Sequence, residues 1–253
     1  MTWSIVARDP HTGQFGVAVA TRFFAVGALV PHVETGAGAL ASQAFVNPYY
    51  GPRGLAMLRD GAGAEAVVAA LTEPDAGRDQ RQLHVMDRAG RSAAFTGAAC
   101  IDWCGHAIHQ DFSVAGNMLA GPAVIAETAR AFAEARGPLA GRFLAALRAG
   151  EASGGDKRGR QSAAILIHDA EDYPLLDIRV DDHADPLAEL ARLEAVSRER
   201  FAPYRPLMPS RANPAGVTDR AEIDRRIAEG IARAAGWHVA PSRMGAGVTR
   251  DSS

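Results

Sequence analysis

Two short apolar runs at the start of the chain constrain its fold more than any other feature. Residues 2–8 and 15–21 are alternating and rich in β-branched side chains, and the turn formers of 9–13 lie between them. This pattern predicts a β-hairpin. Two further strand-like runs follow at 28–33 and 37–44. We therefore expect four antiparallel strands before residue 45.

The rest of the chain contains grouped helical and strand-like segments rather than a regular alternation of the two. Hairpins grouped around a central helical pair favour a layered α+β fold over a parallel βαβ fold. Helices are predicted at 52–59, 64–71, 122–136, 139–149 and from 186 onward, and strands at 82–86, 92–96, 162–168 and 175–181.

The composition changes at residue 201, where prolines become frequent. We divide the chain there into a main domain, 1–200, and a proline-rich tail, 201–253. The tail is predicted to contain a linker, one helix at 219–235, and about a dozen disordered residues at its end. A single short helix does not fold alone, so it must dock on its own subunit or on a neighbour unless it frays.

The charge balance excludes several classes of function. The 253 residues include 27 basic and 29 acidic side chains, for a net charge of −2. Such a chain lacks the strong positive field needed to bind nucleic acid or an anionic membrane. No apolar run approaches the ~20 residues of a membrane span, the start of the sequence does not resemble a secretory signal, and two cysteines are too few for a disulfide framework. We expect a cytoplasmic protein.

Thr2 is the candidate catalytic residue. Removal of Met1 would leave a threonine whose hydroxyl and free α-amine belong to one residue. An α-amine titrates near ~8, so at neutral pH a fraction is unprotonated and can take the hydroxyl proton. Thr2 also leads directly into the first predicted strand, which would hold such a nucleophile rigidly at the end of a sheet. The alternative is an ordinary start of a chain with no catalytic meaning.

Two polar segments and one isolated amide are candidates for substrate binding. The first segment is a glycine-rich loop, 154–162, whose arginines could bind a substrate carboxylate; its composition favours the alternative of a solvated surface loop. The second is 42–53, whose amides could stabilise an oxyanion; it could equally be a packed loop. Asn117, predicted in a turn, is a further amide donor. The candidate binding residues are Ser42, Gln43, Asn47, Asn117, Asp156, Arg158, Arg160, Gln161 and Ser162.

A metal site is the weakest of the alternatives. Cys100, Cys104, His106 and His109 are zinc-ligand types within ten residues, but they lack the spacing of a zinc finger or a CxxC pair. Buried thiols are the better interpretation. We expect neither a metal nor a cofactor.

Several motifs occur in the order typical of one bacterial family. They are TxSIVARD (2–9), GVAVA (16–20), FFAVG (23–27), SQA (42–44), NPxYGPRGL (47–55), GNMLAG (116–121), GGDKRGRQSA (154–163) and RVDDH (179–183). Over about residues 1–195 the chain resembles the family labelled domain of unknown function 1028. The resemblance implies the four-layer αββα sandwich of N-terminal nucleophile (Ntn) hydrolases, which cleave amide bonds through an N-terminal Thr, Ser or Cys.

The resemblance carries one catalytic role over to this chain, that of Thr2. Lys157 is the only lysine and lies in a late loop, so a nucleophile paired with a lysine on an early strand has no counterpart. The resulting hypothesis is an amidohydrolase acting on a small cytoplasmic substrate, with oxyanion donors among Gln43, Asn47 and Asn117. The alternative is a non-catalytic ligand-binding or assembly protein on the same fold. Homo-oligomers are expected in either case.

Overall fold

The computed structural model of the protein describes residues 2–234, with side chains as far as residue 232. These residues form two compact units that divide between Leu190 and Ala191. The strands are β1 (Thr2–Arg8), β2 (Phe15–Thr21), β3 (Pro31–Glu34), β4 (Gly38–Ala44), β5 (Arg81–Asp87), β6 (Ser92–Thr96), β7 (Gly105–His109), β8 (Phe112–Asn117), β9 (Ser162–His168) and β10 (Leu176–Val180). The helices are α1 (Tyr50–Arg59), α2 (Ala64–Thr72), α3 (Ala123–Glu134), α4 (Leu139–Ala152), α5 (Pro186–Ser197), α6 (Phe201–Tyr204) and α7 (Arg220–Ala234).

The strands of the first unit form two antiparallel sheets. One has six strands in the order β10-β9-β2-β1-β8-β7, and the other has four in the order β3-β4-β5-β6. The four predicted N-terminal strands are confirmed, but they are divided between the sheets: β1 pairs with β2 in one, and β3 with β4 in the other.

The two sheets pack face to face, and helices contact each of them. Val17 and Val19 of β2 belong to one buried cluster with Ala39 and Ala41 of β4, so these side chains define the inner faces of the sheets. Leu40, between the two alanines, packs instead with residues of α1 and α2. Helices α1 and α2 contact the four-stranded sheet, and α3 and α4 contact the six-stranded sheet. The predicted mixed α+β class is confirmed.

One strand pair was not predicted. The hairpin β7–β8 lies in a segment whose polar and glycine content hides its alternation. Asn117 is therefore the last residue of a strand, and not part of a turn as predicted. The left-handed backbone conformation belongs to the next residue, Met118, with φ of 52°.

The second unit contains more structure than the predicted linker. Instead of an irregular connection, residues 201–207 form α6 and a 3-10 turn, and α6 contacts α7. Helix α7 agrees with the helix predicted at 219–235. The predictions for Met1 and for the last dozen residues fall outside the described residues. Within residues 2–234, no helix is long and apolar enough to cross a membrane.

Candidate functional site

Thr2 begins β1, an interior strand of the six-stranded sheet, and its side chain is buried with 7% exposure. Because side chains alternate along a strand, Thr2 lies on the inner face with Val6, opposite the face that carries Trp3. On one side its Oγ1 lies 3.2 Å from Oγ1 of Thr21, at the end of β2. On the other side Thr2 is the register partner of Asn117, at the end of β8. Two polar residues therefore flank Thr2.

A chain of buried hydrogen bonds connects the two sheets beneath Thr2. Ser4 Oγ donates to Gln43 Oε1 at 2.6 Å and lies 2.8 Å from His84 Nε2. Gln43 in turn directs its amide nitrogen to the backbone oxygen of Thr2, at 3.5 Å. Buried polar groups hold their geometry because a broken bond costs the full desolvation of each partner, ~1–3 kcal/mol.

The bond directions define the tautomer of His84. Since the hydroxyl hydrogen of Ser4 goes to Gln43, Ser4 Oγ must accept a hydrogen from His84 Nε2. His84 Nδ1 then accepts a hydrogen from Ser113 Oγ at 2.9 Å. Burial, with a smaller contribution from the charge of His106, lowers the pKa of His84 to about 3. The imidazole is therefore neutral and acts as a structural link between the sheets.

Gln82 joins the amides on the two sides of Thr2. Its Oε1 accepts hydrogen bonds from Gln43 Nε2 at 2.8 Å and from Asn117 Nδ2 at 3.1 Å. Its own Nε2 donates to the backbone oxygen of Gly116 at 2.9 Å and to Thr96 Oγ1 at 2.9 Å. These partners fix which end of each amide is the nitrogen, so both Gln43 and Asn117 present N–H donors in the region of Thr2.

The predicted loop 154–162 lies beside Thr21. Asp156 accepts hydrogen bonds from the backbone N–H groups of Arg22, at 2.7 Å, and Arg158, at 2.8 Å. The backbone N–H of Gln161 donates to the carbonyl oxygen of Thr21 at 3.0 Å. The structure thus brings the loop to the residue that contacts Thr2.

A cavity of about 260 Å³ separates this loop from the ends of β1 and β2. Arg160 reaches Glu151 across it, with Nε 3.2 Å from Oε1. Burial raises the pKa of Glu151 against the opposing effect of Arg160. The lining residues are Trp3, Ala20, Thr21, Glu151, Gly154, Gly155, Asp156, Gly159, Arg160 and Pro186. Ser162 lies behind the loop, where its hydroxyl donates to the carbonyl oxygen of Phe23 at 2.5 Å.

Two predicted site residues lie elsewhere. Ser42 shares the outer face of β4 with Leu40, whereas Gln43 is on the inner face. Asn47 donates from Nδ2 to Oδ2 of Asp75 at 3.2 Å, in a cluster on the helical side of the four-stranded sheet. The hydroxyl of Tyr50 in the same cluster is the main cause that lowers the pKa of Asp75.

The residues considered as zinc ligands, the weakest of the alternatives, have other contacts. His106 Nδ1 lies 2.9 Å from Thr96 Oγ1, and the ring of His109 stacks on Phe112. Cys100 is buried, and burial raises its thiol pKa to about 11. Within the described part of the chain, no three His, Cys, Asp or Glu side chains are grouped as metal ligands.

Sequence reasoning did not single out Ser4, Thr21, Gln82 or His84. A signal was present, because Gln82 and His84 are two residues apart in a run otherwise typical of a buried strand. Polar side chains at this spacing share one face of a strand. Without knowledge of the opposing sheet, a strand face with these polar residues is predicted to be exposed to solvent.

The comparisons with known proteins agree on one family. The sequence profile of a family of unknown function, DUF1028, matches residues 2–190. The crystal structure of protein SPO2555 from Silicibacter pomeroyi, which carries the same family label, superposes with a TM-score of 0.81 at 34% identity. That similarity covers 87% of this chain and 96% of the other. No curated protein matches the chain.

Proposed function

This chain belongs to DUF1028, and from that premise we propose that it is an Ntn-type amidohydrolase whose nucleophile is Thr2 after removal of Met1. The proposal includes the four-layer αββα arrangement of that fold class, with α1 and α2 outside one sheet and α3 and α4 outside the other. The helix contacts described above support this arrangement.

The observation that carries the proposal is the position of Thr2. It begins an interior strand, on the inner face, with its hydroxyl against Thr21 and its backbone oxygen near the Gln43 amide. A residue held from both sides by neighbouring strands loses little entropy when it reaches the geometry of attack. A threonine at an unstructured start of the chain would lack this advantage.

The proposed reaction needs only the two functional groups of Thr2. The Oγ attacks the substrate carbonyl carbon while the α-amine takes the hydroxyl proton. The C–N bond then breaks, and the α-ammonium gives that proton to the leaving amine. Water attacks the resulting ester, the α-amine accepts a proton from it, and the proton returns to Thr2 Oγ as the acid leaves. No metal or cofactor takes part in this scheme.

Asn117 is our preferred donor to the developing oxyanion. One hydrogen of its Nδ2 is held by Gln82, which orients the second. A preorganised donor of this kind is worth ~10²–10³ in rate in known enzymes. Gln43 supports the site from below, whereas Asn47 is engaged by Asp75 and has no part in the proposed step.

We assign binding of the substrate carboxylate to the cavity beside the 154–162 loop, whose lining includes Thr21, the neighbour of Thr2, but not Thr2 itself. Arg160 is half-exposed there, and it can exchange its ion pairs with Glu151, at 3.2 Å, and Asp185, at 3.7 Å, for one with a substrate carboxylate. Asp156 also lines the cavity, but its side chain is 1% exposed and accepts hydrogen bonds from the backbone of Arg22 and Arg158. A volume of about 260 Å³ is enough for a small molecule, which supports a small substrate.

The test is intact-mass spectrometry of the purified protein with electrophiles that acylate amidase nucleophiles. We expect a mass lacking Met1 and one adduct, located on Thr2 by peptide mapping. Thr2→Ala should lose the adduct, and Thr2→Ser, which restores a hydroxyl, should regain it. The matched control is Thr12→Ala, in an exposed turn, which should label like the wild type.

Retention of Met1 together with the absence of an adduct would overturn the proposal. The chain would then be better described as a non-catalytic ligand-binding or assembly protein. An adduct that persists in Thr2→Ala would place the reactive group elsewhere and equally exclude Thr2.

A further inference from the structure

Large exposed apolar side chains are concentrated at one end of the two sheets. In the first unit, all of them except Ile108 on β7 occur in three loops: 22–30, 45–49 and 97–104. The first loop follows β2, the second follows β4 and the third precedes β7. Because neighbouring strands are antiparallel, all three loops lie at the end of the sheets where β1 begins. The side chains are Phe23, Phe24, Leu29, Phe45, Tyr49 and Ile101, which we call the apolar collar.

Each loop of the collar is attached to a neighbour of Thr2. Phe23 follows Thr21 by two residues, and Phe45 follows Gln43 by two. The third loop is joined through Asn117, since the backbone N–H of the next residue, Met118, donates to the carbonyl oxygen of Ile101 at 2.8 Å. Two residues span at most ~7 Å, so Phe23 and Phe45 each lie within that reach of a residue that contacts Thr2.

The opposite end of the sheets differs. Among the described residues, the loops 9–14, 35–37, 88–91, 110–111 and 169–175 contain no large exposed hydrophobic side chain. Phe24 is 61% exposed and Phe45 67% exposed, values at which an aromatic ring has contact with water on most of its surface. Exposed apolar side chains scattered singly need no explanation, but a group at one site marks a binding surface.

We propose that the collar binds an apolar group on the substrate, so that the substrate class is a small amide with an aliphatic or aromatic group on one side of the scissile bond. The inference rests on the proposed function. The carboxylate site at Arg160 and the collar lie on different sides of Thr21, because the cavity is lined by Trp3 and Ala20 of the outer face. An amide reaching both would carry its apolar group and its carboxylate on opposite sides of the carbonyl.

Two arginine side chains lie over aromatic rings of the collar. The guanidinium of Arg81 lies 5.0 Å from the ring centre of Phe45, and that of Arg53 lies 5.2 Å from the ring centre of Tyr49. No such cation lies over Phe23 or Phe24 within the described residues. These two rings are therefore the principal contact for an apolar group.

The experiment measures binding in the Thr2→Ala background, where no turnover occurs. The probes are N-(3-phenylpropanoyl)glycine and N-acetylglycine, which share the amide and carboxylate and differ in the apolar group. By calorimetry we expect the phenyl compound to bind about tenfold more tightly, as one partly buried ring provides. Phe23→Ala with Phe24→Ala should reduce that ratio to about threefold or less.

The matched control is Ile108→Ala, an exposed apolar side chain on β7 outside the collar, which should keep the tenfold ratio. Equal affinity for the two probes, no binding of either at millimolar concentration, or a ratio insensitive to the phenylalanines would overturn the inference. So would dissociation of an oligomer caused by the double change, since the collar would then be a subunit interface. Because binding needs no nucleophile, an unreactive Thr2 would refute the proposed reaction and leave this result intact.

Discussion

His84 shows how strongly burial controls single residues in this protein. Its ring is fully buried between the hydroxyls of Ser4 and Ser113, which belong to the opposite sheet. His84 Nε2 donates to Ser4 and His84 Nδ1 accepts from Ser113. A second proton, on Nδ1, would therefore point at the donating hydroxyl of Ser113. The neutral form is favoured by this geometry as well as by burial.

The low pKa of His84 predicts how the stability of the protein depends on pH. The pKa of His84 falls from 6.5 to about 3 on folding, so the unfolded chain binds the extra proton first as the pH drops. The contribution of neutral His84 to the free energy of unfolding is complete above pH 6.5. It is lost as the pH falls from 6.5 to about 3, with a slope of ~1.4 kcal/mol per pH unit. We expect His84→Gln to remove this part of the slope.

The measurement is the free energy of unfolding in urea at several values between pH 7 and pH 4.5, for wild type and variant. Burial also lowers the pKa of His32 and His106, and these two residues contribute to both curves. The difference between the curves therefore isolates the contribution of His84. Parallel curves would show that His84 keeps its ordinary pKa in the folded protein.

At the scale of the elements, close contact between α4 and its neighbours depends on Gly150. A Cβ at this position would lie 2.2 Å from Thr128 Oγ1 of α3 and 2.8 Å from Trp3 Nε1 of β1. Thr128 cannot yield readily, because it is buried and donates to the carbonyl oxygen of Val124 at 2.6 Å. The glycine lets α4 approach both the other helix and the strand that carries Thr2.

We therefore expect Gly150→Ala to destabilise the protein by ~1–3 kcal/mol through overpacking. Gly141 in the same helix has nothing within 4 Å of its Cβ position, so Gly141→Ala should stabilise by ~0.5–1 kcal/mol. Thermal and urea unfolding of the two variants test the pair. A stabilising Gly150→Ala would mean that α4 lies farther from Trp3 and Thr128.

On the scale of the whole molecule, the second unit is too small to bury its apolar side chains. Ile227 is buried, but Phe201, Tyr204 and Ile231 remain about 40% exposed. A unit of this size rarely gains enough stability from its own core. We propose that the protein is a homo-oligomer and that this unit contributes to the contact.

A stop codon after Arg200 tests the proposal, since it leaves α5 complete and removes α6 and α7. We expect sedimentation velocity to show an oligomer for the full chain and a smaller species for residues 1–200. The shortened protein should still label at Thr2, because every residue of the candidate site lies in the first unit. A monomeric full chain, or an unchanged oligomer after truncation, would contradict the proposal.

Much of the fold was predictable because its signals are local. The alternation in β1 and β2 and the apolar spacing of α3 and α4 depend only on neighbours in the chain. The same holds for Thr2 at the start of a strand, which was the main functional prediction. The hairpin β7–β8 escaped notice because its first strand is largely exposed and lacks an apolar pattern.

Only the tertiary structure decided which side chains meet around Thr2. Alternation places Ser42 and Gln43 on opposite faces, but it does not say which face meets the other sheet. Likewise Asn117 and Asn47 are both amides near strand ends, and only one of them lies beside Thr2. The local signals of the sequence determined the strands and the candidate nucleophile, whereas the pairing of distant strands across two sheets determined its surroundings, because those contacts join residues far apart in the chain.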